Sequence, residues 1–517
     1  MAQLPGETAA SHEIGPSDIM LRLKALVFLA VVFTCGLPVR SAGAGPVAPR
    51  PPNIVFFLID DWGWTDLGSY GSKFYQTPNM DRLAAEGMKF TQAYSACTVC
   101  SPTRAATMTG KYPARLRVTD YIPGNVRPFA KLRVPEWTMH LPLSERTIAE
   151  ELKTRGYVTG HFGKWHLGGA GFEPEKQGFD VNFGGGASGA PGGYFPPYGV
   201  PATASERGGE LLTDRITREV VTFIETNRNQ PFFAYVPHYA VHTPLQAKRE
   251  VIEKYQKRIA TGMLHTNAVY AALLESVDDS VGVVLQKLRE LNLEQNTVIF
   301  LTGDNGGLTR TIRSGVWGGP LSTDNSPLRA GKGSAYEGGV RVPLIVKWPG
   351  VIRSGSVDDV TPVISPDFFP TILDLAGAPA AGRPVVDGVS LDHVLRGAGR
   401  LSRDAVFWHY PHYHAGGATP YSAVRAGDWK LIHFFEDDHV ELYNLRQDLS
   451  ETNNLAKTEF KRATELRIAL EAWRTKMGAQ LPTENPSYDP SRQWENQRGD
   501  LKNGGTAAPK KKARSER

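Results

Sequence analysis

The sequence predicts an α/β protein: a large, mostly parallel but mixed sheet sandwiched by helices, with a smaller C-terminal antiparallel-sheet subdomain. Three observations predict it. Runs such as Asn53 to Ile59 (NIVFFLI) and Thr297 to Thr302 (TVIFLT) are apolar without interruption, as in strands covered on both faces. Segments with helical apolar spacing separate such runs, the alternation that builds a helix-covered parallel sheet. From about residue 400 the texture changes to short strand runs around a tight turn, closed by one helix.

The elements follow in order. After strand 53–59, a short helix is expected over Asp81 to Gly87. Ser144 to Arg155 (SERTIAEELKTR) opens on a helix-starting serine and carries apolar residues at helical spacing. Tyr157 to Gly163 and Pro231 to Val236 read as strands. Asn267 to Leu291 reads as a long amphipathic helix, with Leu273, Leu274, Val277, Val281 and Val284 near one stripe. Strand Thr297 to Thr302 follows, then strand Val342 to Lys347 and a helix over Asp367 to Leu375. Ser422 to Arg425 and Trp429 to Phe434 flank Ala426-Gly427-Asp428, a hairpin turn; Val440 to Tyr443 is a third strand and Ala463 to Met477 a closing helix. The expected division is 53–399 for the main α/β domain, 400–488 for the subdomain and 489–517 for a polar, basic, loose tail.

The first 44 residues read as an export signal. Ala25 to Val39 is apolar but short for a membrane span, Arg22 and Lys24 precede it, and Ala42-Gly43-Ala44 forms a small-residue cleavage pattern. Residues 45–52 are a linker, and Met20 is a natural start. An uncleaved anchor, or lipidation at Cys35, is the competing reading. The expected location is the periplasm or the extracellular space, with no stable membrane insertion. A net charge of +5 over 517 residues is a mild bias, and much of it sits in Lys510, Lys511, Lys512 and Arg514. No basic face interleaved with aromatics is visible, so no nucleic-acid partner is expected. Cleavage would leave two of the three cysteines, Cys97 and Cys100, too few for a disulfide framework.

In an open parallel sheet, functional groups collect beyond the carboxyl ends of the strands. Here the strand ends carry Asp60-Asp61, Asp304-Asn305, Lys164 with His166, and His238 with His242. Three carboxylates and a carboxamide make a hard, oxygen-rich site that favours Ca²⁺ or Mg²⁺. Cys100 precedes Ser101-Pro102, an N-cap and first-turn pair, so it should sit at a helix N-terminus that favours an anion. Arg104 lies one turn on.

Cys100-Ser101-Pro102-Thr103-Arg104 with Thr109-Gly110 resembles the signature of the type I, formylglycine-dependent sulfatases of the alkaline phosphatase superfamily, arylsulfatase-like. Other motifs resemble that family's in the same order: Asp60-Asp61, Gly163-Lys164-Trp165-His166-Leu167-Gly168, His242-Thr243-Pro244, Gly303-Asp304-Asn305-Gly306, and Gly331-Lys332-Gly333 with Tyr336-Glu337-Gly338-Gly339. Each motif alone is weak, and six in order are strong. Thr103 stands where the family often has Ser.

The resemblance implies hydrolysis of sulfate esters of a small molecule or glycan, with a sulfated carbohydrate as the expected substrate. A maturation enzyme would convert Cys100 to formylglycine, whose hydrate offers one hydroxyl to attack sulfur and a second to expel sulfate. Asp60, Asp61, Asp304 and Asn305, with the residue at Cys100, would hold one Ca²⁺. Arg104 would orient the nucleophile, and Lys164 and Lys332 would neutralise the sulfate. His242 with Lys332 would protonate the leaving oxygen, and His166 would take a proton during sulfate release.

Other readings stay open. Cys97-x-x-Cys100 fits a redox pair, but that leaves Arg104 and the acidic pairs unexplained. A zinc site lacks two further thiols. Gly184 to Gly193 is a glycine-rich loop without the Lys-Ser/Thr of a phosphate cradle. His409, His412 and His414 are expected on a loop at the cleft rim, where His412 and Tyr413 would meet a sugar; His161 and His238 are expected to be structural. A phosphomonoester or phosphonate-ester hydrolase, and a non-catalytic binder of sulfated glycans, are the alternative functions.

Overall fold

The computed structural model describes residues 50–201, 207–309, 321–379, 382–415 and 417–495. The expected export signal, most of the linker and residues 496–517 of the expected tail lie outside them.

The main sheet has nine strands: β1 (Asn53–Ile59), β2 (Met88–Tyr94), β3 (Val158–Phe162), β4 (Val181–Phe183), β5 (Phe232–Pro237), β6 (Thr297–Gly303), β7 (Arg341–Lys347), β8 (Ser356–Asp358) and β9 (Val363–Ile364). Their order is β9-β2-β7-β6-β1-β5-β3-β4, with β8 also paired to β2. Every pairing is parallel except those of β7, which runs antiparallel to β6 and β2. Central β1 is buried along its whole length, with Ile54 opposite Phe233 on one side and Val298 on the other.

Both faces of β1 are covered, which explains its uninterrupted apolar run. Val55, Phe57 and Ile59 pack with helices α1 (Pro78–Glu86), α4 (Leu212–Thr226) and α5 (Ala268–Glu290). Ile54, Phe56 and Leu58 pack with α2 (Cys100–Thr109), α3 (Ile148–Lys153) and α6 (Phe368–Leu375). A second, four-stranded antiparallel sheet comprises β10 (Val406–Tyr410), β11 (Tyr421–Ala426), β12 (Trp429–Phe434) and β13 (Val440–Asn444), with α7 (Phe460–Met477) against it. Helix α2 lies between the two layers: Ala105 and Met108 join the main core, and Ala106, with Val99 just before the helix, the core of the small sheet. All ten of its residues are therefore buried.

Some expected boundaries move, each for a physical reason. The helix expected from Ser144 starts after Thr147, whose side chain accepts from Glu150 N at 3.1 Å while Glu150 accepts from Thr147 N at 2.9 Å. This reciprocal capping box outranks a lone serine. Helix α1 begins three residues early because Asp278 of α5 accepts from Asn79 N and Met80 N, a cap supplied across the fold. The hairpin forms on a two-residue turn with Gly427 at φ 57°, and Ala426 opposes Trp429. The start of the expected loose tail is docked: Asp489 N donates to the Phe129 carbonyl, and the Arg492 guanidinium lies 3.5 Å from the Phe129 ring centroid. Among the described residues, no helix is long and apolar enough to cross a membrane.

Replacing Thr147 with Ala should destabilise the protein by about 1–2 kcal/mol, and Ser144→Ala by less than about 0.5 kcal/mol, in urea unfolding. Equal effects would contradict the capping assignment.

Candidate active site

Four adjacent strands, β6, β1, β5 and β3, deliver their carboxyl ends to one place. β1 runs into Asp60 and Asp61, and Asp61 takes a left-handed backbone (φ 57°). β6 runs into Asp304 and Asn305, registered by Asp304 N donating to the Ile59 carbonyl. β3 leads through Gly163 to Lys164 and to His166, also left-handed at φ 58°. Gly163 is required here, since a Cβ would come within 2.1 Å of the Pro237 carbonyl. β5 leads to His238 and His242.

Arg104, one turn into α2, is buried and forks into this edge. Its Nε and Nη2 reach Asp304 Oδ2 at 2.9 and 2.8 Å, its Nη1 donates to the Lys164 carbonyl at 2.8 Å, and Asp60 Oδ2 lies 3.8 Å from Nη2. Lys164 Nζ donates to Asp60 Oδ2 at 2.5 Å. Lys332 Nζ pairs with Asp61 Oδ1 at 2.7 Å and points at Cys100 Sγ at 3.5 Å. Cys100 Sγ in turn lies 3.7 Å from Asp60 Oδ1. Asn305 Nδ2 donates to Asp61 Oδ1 at 2.8 Å, and His242 Nε2 lies 3.7 Å from Asp61 Oδ2. His166 Nε2 meets the Ile122 carbonyl at 2.5 Å. The structure thus brings together Cys100, Arg104, Lys164, His166, His242, Lys332, Asp60, Asp61, Asp304 and Asn305.

Electrostatics follow from burial and from these pairs. Burial opposes ionisation of Asp61, but Lys332, His242 and Lys164 outweigh it and hold the carboxyl well below the usual range. Burial, then the adjacent Asp60, pushes Asp304 up to about 6. Burial resists charging Lys332, yet Asp61 raises it above an ordinary lysine. Burial, then Lys332, lowers His242 to about 3; burial, then Lys164, keeps His166 far below an ordinary histidine. A carbonyl only accepts, so Nε2 of neutral His166 carries the proton, and Nδ1, which has no hydrogen-bond partner, keeps its lone pair. Burial pushes the Cys100 thiol up to about 12, away from a reactive thiolate.

The donor set fits a hard divalent cation. Asp61 Oδ2 and Asn305 Oδ1 are buried without a hydrogen-bond partner, a costly state that an ion would relieve. Ligand atoms of Asp60, Asp61, Cys100 and His242 lie within 4.8 Å of one another. Asp304 and Asn305, which bond to Arg104 and Asp61 at the same edge, add further oxygens, the donors that Ca²⁺ or Mg²⁺ prefers.

Several expectations need correction. Ser101 is not the N-cap of α2: Val99 is, in extended conformation, so Cys100 is the first helical residue and no side chain caps the first-turn amides. The Ser101 hydroxyl instead accepts from Ile122 N at 3.2 Å. The Thr103 hydroxyl accepts from Cys97 N and donates to the Cys97 carbonyl, both at 3.1 Å. Cys97 and Cys100 are free thiols. His412 and Tyr413 do not reach the cleft. His412 is buried on Thr119 Oγ1 at 2.8 Å, and the Tyr413 hydroxyl bonds Leu132 N and Glu436. His409 is buried between Ser422 and the Gln480 carbonyl. Of that cluster only His414 lines the cleft.

The cleft above Cys100 is a cavity of about 540 Å³. Beyond the residues above, it is walled by Tyr121, Ile122, Pro123, Leu308 and His414, and by Ser188 to Ala190 of the glycine-rich loop. The first four carried no sequence signal, since they depend on which loops fold over the strand ends. Gly189 was marked by composition: a Cβ there would come within 2.3 Å of the His166 ring.

Comparison with known proteins supplies the family. A sequence model of the sulfatase family matches residues 52–378, and one of the C-terminal part of N-sulphoglucosamine sulphohydrolase matches 331–476. The chain is similar to a sulfatase of Formosa agariphila (35% identity over 84% of this chain and 90% of that one). It is also similar to N-acetylgalactosamine-6-sulfatase of Rattus norvegicus (37% identity, 69% of this chain and 68% of that one). Among solved structures, Ps i-CgsB superposes with a TM-score of 0.69 at 29% identity, covering 85% of this chain and 95% of that one. With the family match over more than half its length, the chain belongs to the sulfatase family and is a sulfuric ester hydrolase.

Proposed function

We propose that the protein releases inorganic sulfate from a sulfated carbohydrate, using formylglycine derived from Cys100 and a bound Ca²⁺. The observation that carries this reading is the position of Cys100 Sγ, 3.5 Å from Lys332 Nζ and 3.7 Å from Asp60 Oδ1, in a cavity that Lys332, Asp61, His166 and His242 also line. The names of its relatives, which include N-acetylgalactosamine-6-sulfatase, support a sugar substrate. The reading includes export and a maturation enzyme.

Asp60, Asp61, Asp304 and Asn305 would hold the ion, with the matured residue 100 beside it; the ion would polarise the sulfate oxygens. The aldehyde's hydrate would supply one hydroxyl to attack and another to release sulfate. The chain's own groups do the rest. Lys332 and Lys164 offset the charge of the sulfate in a site shielded from water, where such offsets are strong. Arg104, clamped on Asp304 and the Lys164 carbonyl, fixes the start of α2 and with it residue 100. Lys332, held protonated by Asp61, is positioned to donate toward the leaving oxygen, with His242 beside the same carboxylate. His166, neutral with a free Nδ1, accepts a proton as sulfate departs.

The test is sulfate release from sulfated monosaccharides and an aryl sulfate by protein matured in cells. Cys100→Ala should abolish turnover, and Lys332→Met should lower kcat by about two to three orders of magnitude. Turnover of phosphate esters but not sulfate esters would replace the proposal. Chelation with EDTA should lower both turnover and melting temperature, and Ca²⁺ should restore both. Turnover indifferent to chelation would remove the metal from the account.

A further inference from the structure

A second cavity, of about 640 Å³, opens where the bulge in β2 faces the small sheet. Thr91 and Gln92 of the bulge, the stretch from Asp359 to Pro362, and the Gly427–Asp428 turn form its walls. It shares no lining residue with the cleft above Cys100.

Five arginines enter it, and they divide by their partners. Arg341 is held by Glu337 and the Thr91 carbonyl, and Arg403 by Asp367. Arg425 meets the Tyr94 hydroxyl and the Gln92 side-chain oxygen, both uncharged. Arg400 and Arg446 are exposed and form no ion pair with a described residue. Three carboxylates, Asp359, Asp404 and Asp428, share the walls, and none of them is in an ion pair with a described residue either. Leu401, Leu445 and Leu449 supply apolar wall between these groups.

Guanidinium and carboxylate groups that face one cavity without pairing leave donors and acceptors for a ligand that offers both. A sugar does so: its hydroxyls donate to carboxylates and accept from guanidinium N–H groups, and its C–H faces rest on aliphatic wall. A sulfate group presents oxygens to a guanidinium fork much as a phosphate does. We infer that this cavity is a non-catalytic binding site for a sulfated saccharide, with hydroxyls on Asp359, Asp404 and Asp428 and a sulfate on Arg400 and Arg446. The ligand class rests on the sulfatase reading above.

The test uses full-length protein carrying Cys100→Ala to stop turnover, titrated with a chondroitin sulfate hexasaccharide and with neutral dextran. Arg400→Ser/Arg446→Ser should weaken hexasaccharide binding about fivefold or more, while the charge-matched Lys73→Ser/Lys257→Ser changes it by less than about twofold. Neither protein should bind dextran. Equal binding by both double variants, no hexasaccharide binding at all, or a difference seen with sodium sulfate but not with the hexasaccharide would overturn the inference. In a parallel assay with Cys100 intact, Arg400→Ser/Arg446→Ser should leave aryl sulfate turnover within about twofold of the parent. A parent inert on aryl sulfate would count against the sulfatase chemistry and leave the binding result standing.

Discussion

The site depends on one buried guanidinium. Arg104 joins the helix that starts at Cys100 to three strand ends at once: Asp304 after β6, the Lys164 carbonyl after β3, and Asp60 after β1. A charge with about 1% exposure is tolerable only when it is paired and hydrogen-bonded in good geometry. The fork therefore fixes where those ends can lie relative to residue 100. Removing it would leave Asp304 buried beside Asp60, with a carboxyl that burial already drives toward its neutral form.

Around that fork the site alternates charge. Lys164 sits on Asp60, Lys332 on Asp61, and Asn305 crosses to Asp61 from the neighbouring strand. The small sheet has a part in this, though among the described residues it contributes only the His414 loop to the cleft. Lys430 of β12, fully buried, bridges Glu337 at 2.9 Å and Glu451 at 3.0 Å, and Glu451 accepts from Glu337 N at 2.6 Å. Glu337 closes the segment that carries Lys332, whose other end is pinned by Lys332 N on the Gly307 carbonyl and Gly333 N on the Thr98 carbonyl. A lysine from the antiparallel layer thus anchors the loop that presents a lysine to the site.

What could be read from the sequence had local causes. β1, β6 and α5 announce themselves because burial on two faces, or on one stripe, dictates composition residue by residue. The acidic pairs were legible because they stand immediately after such strands. β2 was not, since its burial alternates and breaks at the bulge, leaving Lys89, Thr91 and Gln92 in the run. The start of α1 depends on Asp278, two hundred residues away, and no local pattern carries that. The histidine cluster shows the same limit: composition marked the segment, but only the packing of Thr119 and Trp137 against His412 decides that His414 is the one facing the cleft.

The central claim is that residue 100 acts as an aldehyde hydrate and not as a thiol. The protein should be purified from cells that carry a formylglycine-generating enzyme, and the peptide bearing Cys100 measured by mass spectrometry. The account predicts a peptide about eighteen daltons lighter than the thiol form, in proportion to specific activity across preparations. Full activity in protein whose residue 100 is an unmodified thiol, or is joined to Cys97, would contradict it.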